Sequence, residues 1–224
     1  INVYGKAPMS KATIGRIGWV PQAATELPHN LRITVKEFIQ LGLLNSNFLK
    51  QYLDFIISPP AFFKQWKKNQ IKLEKIIETV GLKQYANTMI SNLSGGQRQR
   101  AAIGKALASE ADLLLMDEPM VGVDVESRNS IMRLLDDLCH EQNKTIVMIS
   151  HDLASMKRTA HRMIYLEHKI RYDGTAEDFP DLSSLAELRG IEATHPEADS
   201  AKSDVVKSDD VVIIVSPGIE GGES

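Results

Sequence analysis

The chain has 224 residues, with 43% apolar and 25% charged side chains, enough to bury a core in one domain or slightly more. A formal charge of −3 excludes nucleic-acid binding by bulk electrostatics. A single cysteine, Cys139, excludes an internal disulfide and fits a reducing compartment; in its helical pattern it is a packed or half-exposed thiol rather than a nucleophile.

No apolar run is long enough to cross a bilayer; the nearest, Leu53 to Phe63, is broken by Asp54, Pro59 and Pro60. No signal peptide is present, and the first residue is Ile1 rather than Met, so the expectation is a missing N-terminal segment.

In chain order, residues 1–21 read as short strands and turns, with a strand over Ile14 to Val20 stopped by Pro21. Within Leu31 to Leu44, Thr34-Val35-Lys36-Glu37-Phe38-Ile39 marks a helix start. Pro59-Pro60 reads as a break, and Leu53 to Phe63 either as a surface loop pinned by its own aromatics or as an apolar docking patch. A helix is expected over Gln70 to Val80, with Ile71, Ile76, Ile77 and Val80 near one face and Gly81 as its stop.

The next helix is expected from the glycines after Ser94 to Ala108. Leu113 to Met116 reads as a fully buried strand. Glu126 to Gln142 reads as an amphipathic helix with Ile131, Leu134, Leu135 and Leu138 inward. A second buried strand covers Thr145 to Ile149, and Met163 to Tyr172 reads as a hairpin. This alternation gives an α/β fold with a parallel sheet. Beyond Ile191 the acidic residues Glu192, Glu197, Asp199, Asp204, Asp209, Asp210, Glu220 and Glu223 face only Lys202 and Lys207, a disordered-tail composition. Val211 to Val215 is its apolar exception, suited to an edge strand or to docking on a partner.

Asp117-Glu118 closes a buried strand, which delivers carboxylates to the carboxyl edge of the sheet, where α/β folds bind ligands. There Asp117 suits Mg²⁺ and Glu118 suits polarising a water; a charged turn after a strand would look the same. Ser94-Gly95-Gly96-Gln97 lets backbone approach an anion at a helix N-terminus, or is an ordinary helix cap. His151 follows a strand and can hydrogen-bond a phosphate, or is structural. Gln22 also follows a strand and offers a carbonyl oxygen to Mg²⁺, or is a plain surface residue. Asp124 alone reads as a turn residue.

Taken in order, these motifs resemble the ATP-binding subunits of ABC transporters over residues 1–186. The resemblance implies a P-loop NTPase-type parallel sheet core with an inserted helical subdomain. It divides the chain into 1–22 (core strands and Q-loop), 23–92 (helical subdomain), 93–190 (signature helix and core) and 191–224 (tail). It makes Gln22 the Q-loop glutamine and Ser94, Gly95, Gly96 and Gln97 the signature that contacts ATP held by a second subunit. It makes Asp117 and Glu118 the Walker B pair, Asp124 the D-loop aspartate and His151 the switch histidine. ATP and Mg²⁺ are the implied cofactors. Implied partners are integral-membrane permease subunits, a second ATPase subunit in a homodimer and an extracytoplasmic metal-binding protein, with no nucleic acid, at the cytoplasmic face of the membrane.

Gly18-Trp19-Val20-Pro21-Gln22, Ile33 to Phe38, Asp117 to Asp124, Ser150 to Leu153 and Asp173-Gly174-Thr175 resemble the zinc, manganese and iron importer branch. His29, His140, His161, His168 and His195 form no ligand-spaced cluster.

Three features depart from the family, the smallest being Met120 where a Thr commonly follows Asp-Glu-Pro. No G-x-x-x-x-G-K-[ST] phosphate loop occurs in the sequence, so the expectation is a fragment of a working subunit; the alternatives are a degenerate non-hydrolysing subunit and a soluble non-transport ABC ATPase. Gly104-Lys105 stands where the family has Ala-Arg, and a mid-helix glycine costs about 1 kcal/mol relative to alanine. A chromosome-maintenance ATPase is disfavoured because no sustained heptads lie between Gln22 and Ser94.

Overall fold

A computed structural model describes residues 5–6, 15–22, 31–43, 59–180 and 211–215. Residues 1–4 and 7–14, the segment Leu53 to Ser58, His29, His195 and most of the acidic tail lie outside the described residues. The chain divides into two units, 1–146 with 217–224, and 147–216.

In the first unit, helix α1 (Val35–Gln40) begins at the expected place. The Thr34 hydroxyl accepts the Glu37 N–H at 3.2 Å, and the Glu37 carboxylate accepts the Thr34 N–H at 2.7 Å, a reciprocal cap. Helix α2 (Pro59–Thr79) corrects two expectations. Pro59-Pro60 opens this helix rather than breaking the chain, because a missing N–H costs nothing in a first turn. The described part of the aromatic segment, Pro59 to Phe63, is therefore helix and not loop. Ile71 is 62% exposed. The buried face is instead Leu73, Ile76 and Ile77, continued past the helix by Val80, which keeps the i, i+3, i+4, i+7 rhythm that Ile71 breaks. Gly81 ends the helical stretch with φ 70, as expected.

Helix α3 (Gly95–Ala108) has the expected bounds and is the centre of this unit. It contacts α1, α2, strand β1 (Ile17–Val20), helix α4 (Val125–His140) and the 3-10 turn Leu41–Leu43. Such crowding requires small residues, and its buried positions include Gly96, Ala101, Ala102, Gly104, Ala106 and Ala108. At Gly104 a Cβ would stand 3.0 Å from the Cδ1 of Ile39, so close packing of α1 offsets the propensity cost of this glycine. Arg100 fastens two neighbours: its guanidinium donates to the Val80 carbonyl at 2.8 Å and to the Ser130 hydroxyl. Lys72 of α2 caps the far end, donating to the Ala108 carbonyl at 2.8 Å.

Strand β1 pairs in parallel with strand β2 (Leu113–Asp117), with Val20 opposite Met116. The expectation of a fully buried β2 is corrected: Leu114 and Met116 are buried, whereas Leu113 and Leu115 are half-buried. Helix α4 buries Ile131, Leu134, Leu135 and Leu138 as expected, with Cys139 beside them.

The boundary between the units falls within strand β3 (Thr145–Ser150). The second unit holds helix α5 (Leu153–Thr159) and the hairpin of β4 (Arg162–Glu167) and β5 (Lys169–Thr175), which turns at His168 with φ 55. Tyr165, Tyr172 and Phe179 stack edge to face at its core, with centroids 6.3 and 5.0 Å apart. Strand β6 (Val211–Val215) is not an edge strand. It lies between β3 and β4, antiparallel to both, with Ile213 opposite Ile149 on one side and Ile164 on the other. A run with no polar alternation suits pairing on both edges.

Ile103, fully buried on α3, and Ile71, exposed on α2, give a test of this packing. Ile103→Ala costs about 2–5 kcal/mol in urea melts, whereas Ile71→Ala stays within about 0.5 kcal/mol of the parent.

Candidate functional site

The site begins with two neighbouring strands. Because Val20 is paired with Met116 in parallel register, the residues just past each strand leave the sheet at the same carboxyl edge. At that edge stand Gln22 on one side and, on the other, Asp117, the last residue of β2, followed by Glu118. Gln22 is exposed, and Asp117 and Glu118 are half-buried. Three oxygen-bearing side chains therefore share one edge, a donor set matched to a hard divalent cation.

Glu118 has φ 44, a left-handed backbone that costs an ordinary residue about 1–2 kcal/mol. Strained backbone of this kind concentrates where a side chain must be aimed. It also starts a tight turn: the Val121 N–H reaches the Glu118 carbonyl at 3.2 Å, and the Val123 N–H the Met120 carbonyl at 3.3 Å. The turn delivers Asp124 to the start of α4, where its carboxylate accepts the Ser127 N–H at 2.9 Å. That bond from the Ser127 backbone, and then one from the Ser127 hydroxyl, hold the Asp124 carboxyl below the usual aspartate range.

The same turn receives the start of α3. Ser94 caps the helix: its hydroxyl accepts the Gln97 N–H at 3.3 Å, and the Gln97 side chain accepts the Ser94 N–H at 3.0 Å. A Cβ on Gly95 would stand 2.5 Å from the Gly122 carbonyl oxygen, and one on Gly96 2.5 Å from the Cβ of Ser127. Neither glycine can be replaced without moving backbone or helix. The glycines thus have a packing role beside the anion-binding one that the sequence suggests: they lay the capped N-terminus of α3 against the Gly122–Ser127 segment. Ser94 itself remains exposed.

Sequence reasoning missed Gln99. It is 1% exposed, one turn beyond Gly95 and Gly96 on the same face, and neither its amide nitrogen nor its oxygen has a hydrogen-bond partner among the described residues. A buried carboxamide left this way costs about 1–3 kcal/mol unless water satisfies it. The only available signal was a glutamine on a helix face of glycine and alanine.

His151 belongs to the second unit, exposed and directly after β3. The Leu153 N–H donates to its carbonyl at 3.1 Å. Asp152 caps α5, accepting the Ser155 N–H at 3.1 Å and hydroxyl at 2.7 Å. No group of three or more potential metal ligands from His, Cys, Asp and Glu occurs among the described residues.

This geometry has two testable outcomes. Gly96→Ala loses about 1–3 kcal/mol of stability in chemical denaturation, and adding Ser127→Gly recovers part of that loss, a positive coupling in a double-mutant cycle. For Asp124 the folded pKa lies below the unfolded one, so its stabilisation is complete above the ordinary carboxyl pKa and fades as pH falls through the folded value. The gap in melting temperature between the parent and Asp124→Ala is accordingly full at neutral pH and narrows in acid.

A family profile described as ABC transporter matches residues 3–121, a span that includes Gln22, the Ser94–Gln97 cap and Asp117-Glu118. The chain is 29% identical over 195 residues to the zinc uptake system ATP-binding protein ZurA of Listeria monocytogenes, covering 84% of this chain and 71% of that protein. It is 35% identical over 128 residues to the thiamine import ATP-binding protein ThiQ of Yersinia pestis, covering 56% of this chain and 54% of that one. Among solved structures it is similar to a dimeric post-hydrolysis state of the ATP-binding cassette MJ0796 bound to ADP and Pi. That match has a TM-score of 0.53 and 28% identity, covering 73% of this chain and 64% of the other. The chain belongs to the ABC transporter family as one of its ATPases.

Proposed function

We propose that this chain is the energy-coupling subunit of a membrane importer and that its cargo is a divalent metal ion: zinc, manganese or iron. The observation that carries the ATPase part is the common edge of β1 and β2, along which Gln22, Asp117 and the backbone-strained Glu118 follow one another in register. In this reading Asp117 and the Gln22 carbonyl oxygen hold Mg²⁺, which supplies charge neutralisation to the phosphates when bound. Glu118 accepts a proton from the attacking water as the water oxygen bonds to the γ-phosphorus and the β–γ bridging bond breaks, leaving ADP and phosphate. By its likeness to the family motif His151, directly after β3, is the switch histidine, whose imidazole suits a hydrogen bond to phosphate.

Ser94 and the first amides of α3 form an anion-binding N-terminus. It faces the ATP of a second ATPase subunit, and Asp124 lies beside it at the subunit junction. Permease subunits and an extracytoplasmic binding protein complete the assembly, at the cytoplasmic face of the membrane. The metal assignment is supported by the match to a zinc-uptake relative over 84% of the chain and by the Gly122-Val123-Asp124 form of the turn. The thiamine-import relative matches a shorter stretch, 56% of the chain.

The test is ATP hydrolysis by the complex purified with this subunit from its own membrane, titrated with zinc, manganese, iron(II) or thiamine through the binding protein. A divalent metal stimulates hydrolysis and thiamine does not. Glu118→Gln lowers the stimulated rate by about 10²–10⁴-fold without dissociating the complex. Hydrolysis untouched by this change makes the chain a non-hydrolysing partner, and stimulation by thiamine instead of metal overturns the cargo assignment.

A further inference from the structure

The two halves of α2 differ in a way that core packing does not explain. Its C-terminal half buries Leu73, Ile76 and Ile77. In the N-terminal half every residue from Phe63 to Lys68 is exposed, all the way round the helix. Phe63 and Trp66 expose 60% and 51% of their surface, and Ile71 lies beyond them at 62%. Interleaved with them are Lys64, Lys67 and Lys68, and no acidic residue occurs between Pro59 and Leu73. No carboxylate among the described residues pairs with Lys64 or Lys67.

Phe63 meets the Phe62 ring edge to face at 5.7 Å, yet Phe63 and Trp66 each keep more than half of their surface in water, which a partner surface of matching chemistry would relieve. Cores of protein interfaces are depleted in lysine, whereas here lysines alternate with the aromatics. An anionic bilayer surface suits the pattern: aromatic side chains enter the headgroup–acyl boundary, and lysines reach up to phosphate with their stems along apolar surface. Single-stranded nucleic acid also takes aromatics and lysines, but along a basic groove, whereas this is one convex helix on a chain of net charge −3.

We propose that the N-terminal half of α2 docks directly on an anionic lipid surface, with Phe63 and Trp66 at the acyl boundary and Lys64, Lys67 and Lys68 on the headgroup phosphates. The proposal rests on the membrane-associated reading given above for its place in the cell. It adds a lipid contact that needs no permease. Such a contact holds the subunit at the bilayer and fixes how this helix meets the membrane plane.

The experiment uses the full chain in a Trp19→Phe background, so that fluorescence reports Trp66 alone. Vesicles of phosphatidylcholine, pure or with about one phosphatidylglycerol in three, contain no protein. The expected result is a blue shift and co-sedimentation with the anionic vesicles only. Binding weakens at least about tenfold with Lys64→Glu, Lys67→Glu and Lys68→Glu combined, or in high salt, and is lost with Phe63→Ser and Trp66→Ser combined. All five positions are exposed, and unchanged melting curves verify that the variants fold.

Absence of binding to anionic vesicles overturns the proposal. So does binding that ignores the lysine reversals, or tighter capture by an oligo(dT) strand. Because the vesicles hold no permease and the assay no nucleotide, failure here leaves metal-stimulated hydrolysis by the purified complex untouched, and failure of that hydrolysis leaves this result standing.

Discussion

The structure depends on how closely its surroundings approach helix α3. Its N-terminus lies against the Gly122 carbonyl and the Ser127 side chain, at distances where a Cβ on Gly95 or Gly96 would fall 2.5 Å from its neighbour. Farther along, α1, α2 and β1 crowd the same helix. Only a sequence such as Gly-Gly-Gln-Arg-Gln-Arg-Ala-Ala-Ile-Gly can be that thin and still helical, since alanine supplies the propensity that glycine lacks. Arg100 then fastens α2 and α4 to it through charge-assisted bonds.

This constraint ties chemistry to architecture. The segment that α3 touches, Gly122 to Ser127, follows the turn that starts at Glu118, the residue whose left-handed backbone redirects the chain after β2. One turn later Asp124 caps α4, and the amide it accepts belongs to Ser127, the side chain against which Gly96 rests. The Ser94 cap, Gly96, Ser127 and Asp124 are thus joined through direct contacts rather than a long-range pathway.

Much of this was legible in the sequence, for identifiable reasons. Local signals were strong where side chain and backbone agree: the helix start at Thr34, the Ser94 cap, Gly81 at a helix stop, and the Ile131, Leu134, Leu135, Leu138 rhythm. The position of Asp117 and Glu118 was legible because a strand end that runs into carboxylates places them at a sheet edge. Other features needed tertiary information. Pro59-Pro60 opens a helix, and that role is set by the helical run from Ala61 to Thr79 rather than by proline itself. Ile71 is apolar yet exposed, which periodicity shows only once Leu73 is chosen as the reference. The inner position of Val211 to Val215, paired with β3 and β4 on either side, has no local signature at all. Gln99 and Gly104 are intelligible only against the surfaces they meet.

Central to all of this is that the start of α3 and the start of α4 behave as one mechanical piece. Amide hydrogen exchange of Gln97 and Ser127 tests it most directly, since each N–H is held by the capping side chain three residues before it. The same opening free energy and the same denaturant dependence are expected for both amides, falling together in Gly96→Ala. A Ser127 amide that stays protected while Gln97 exchanges freely would contradict it.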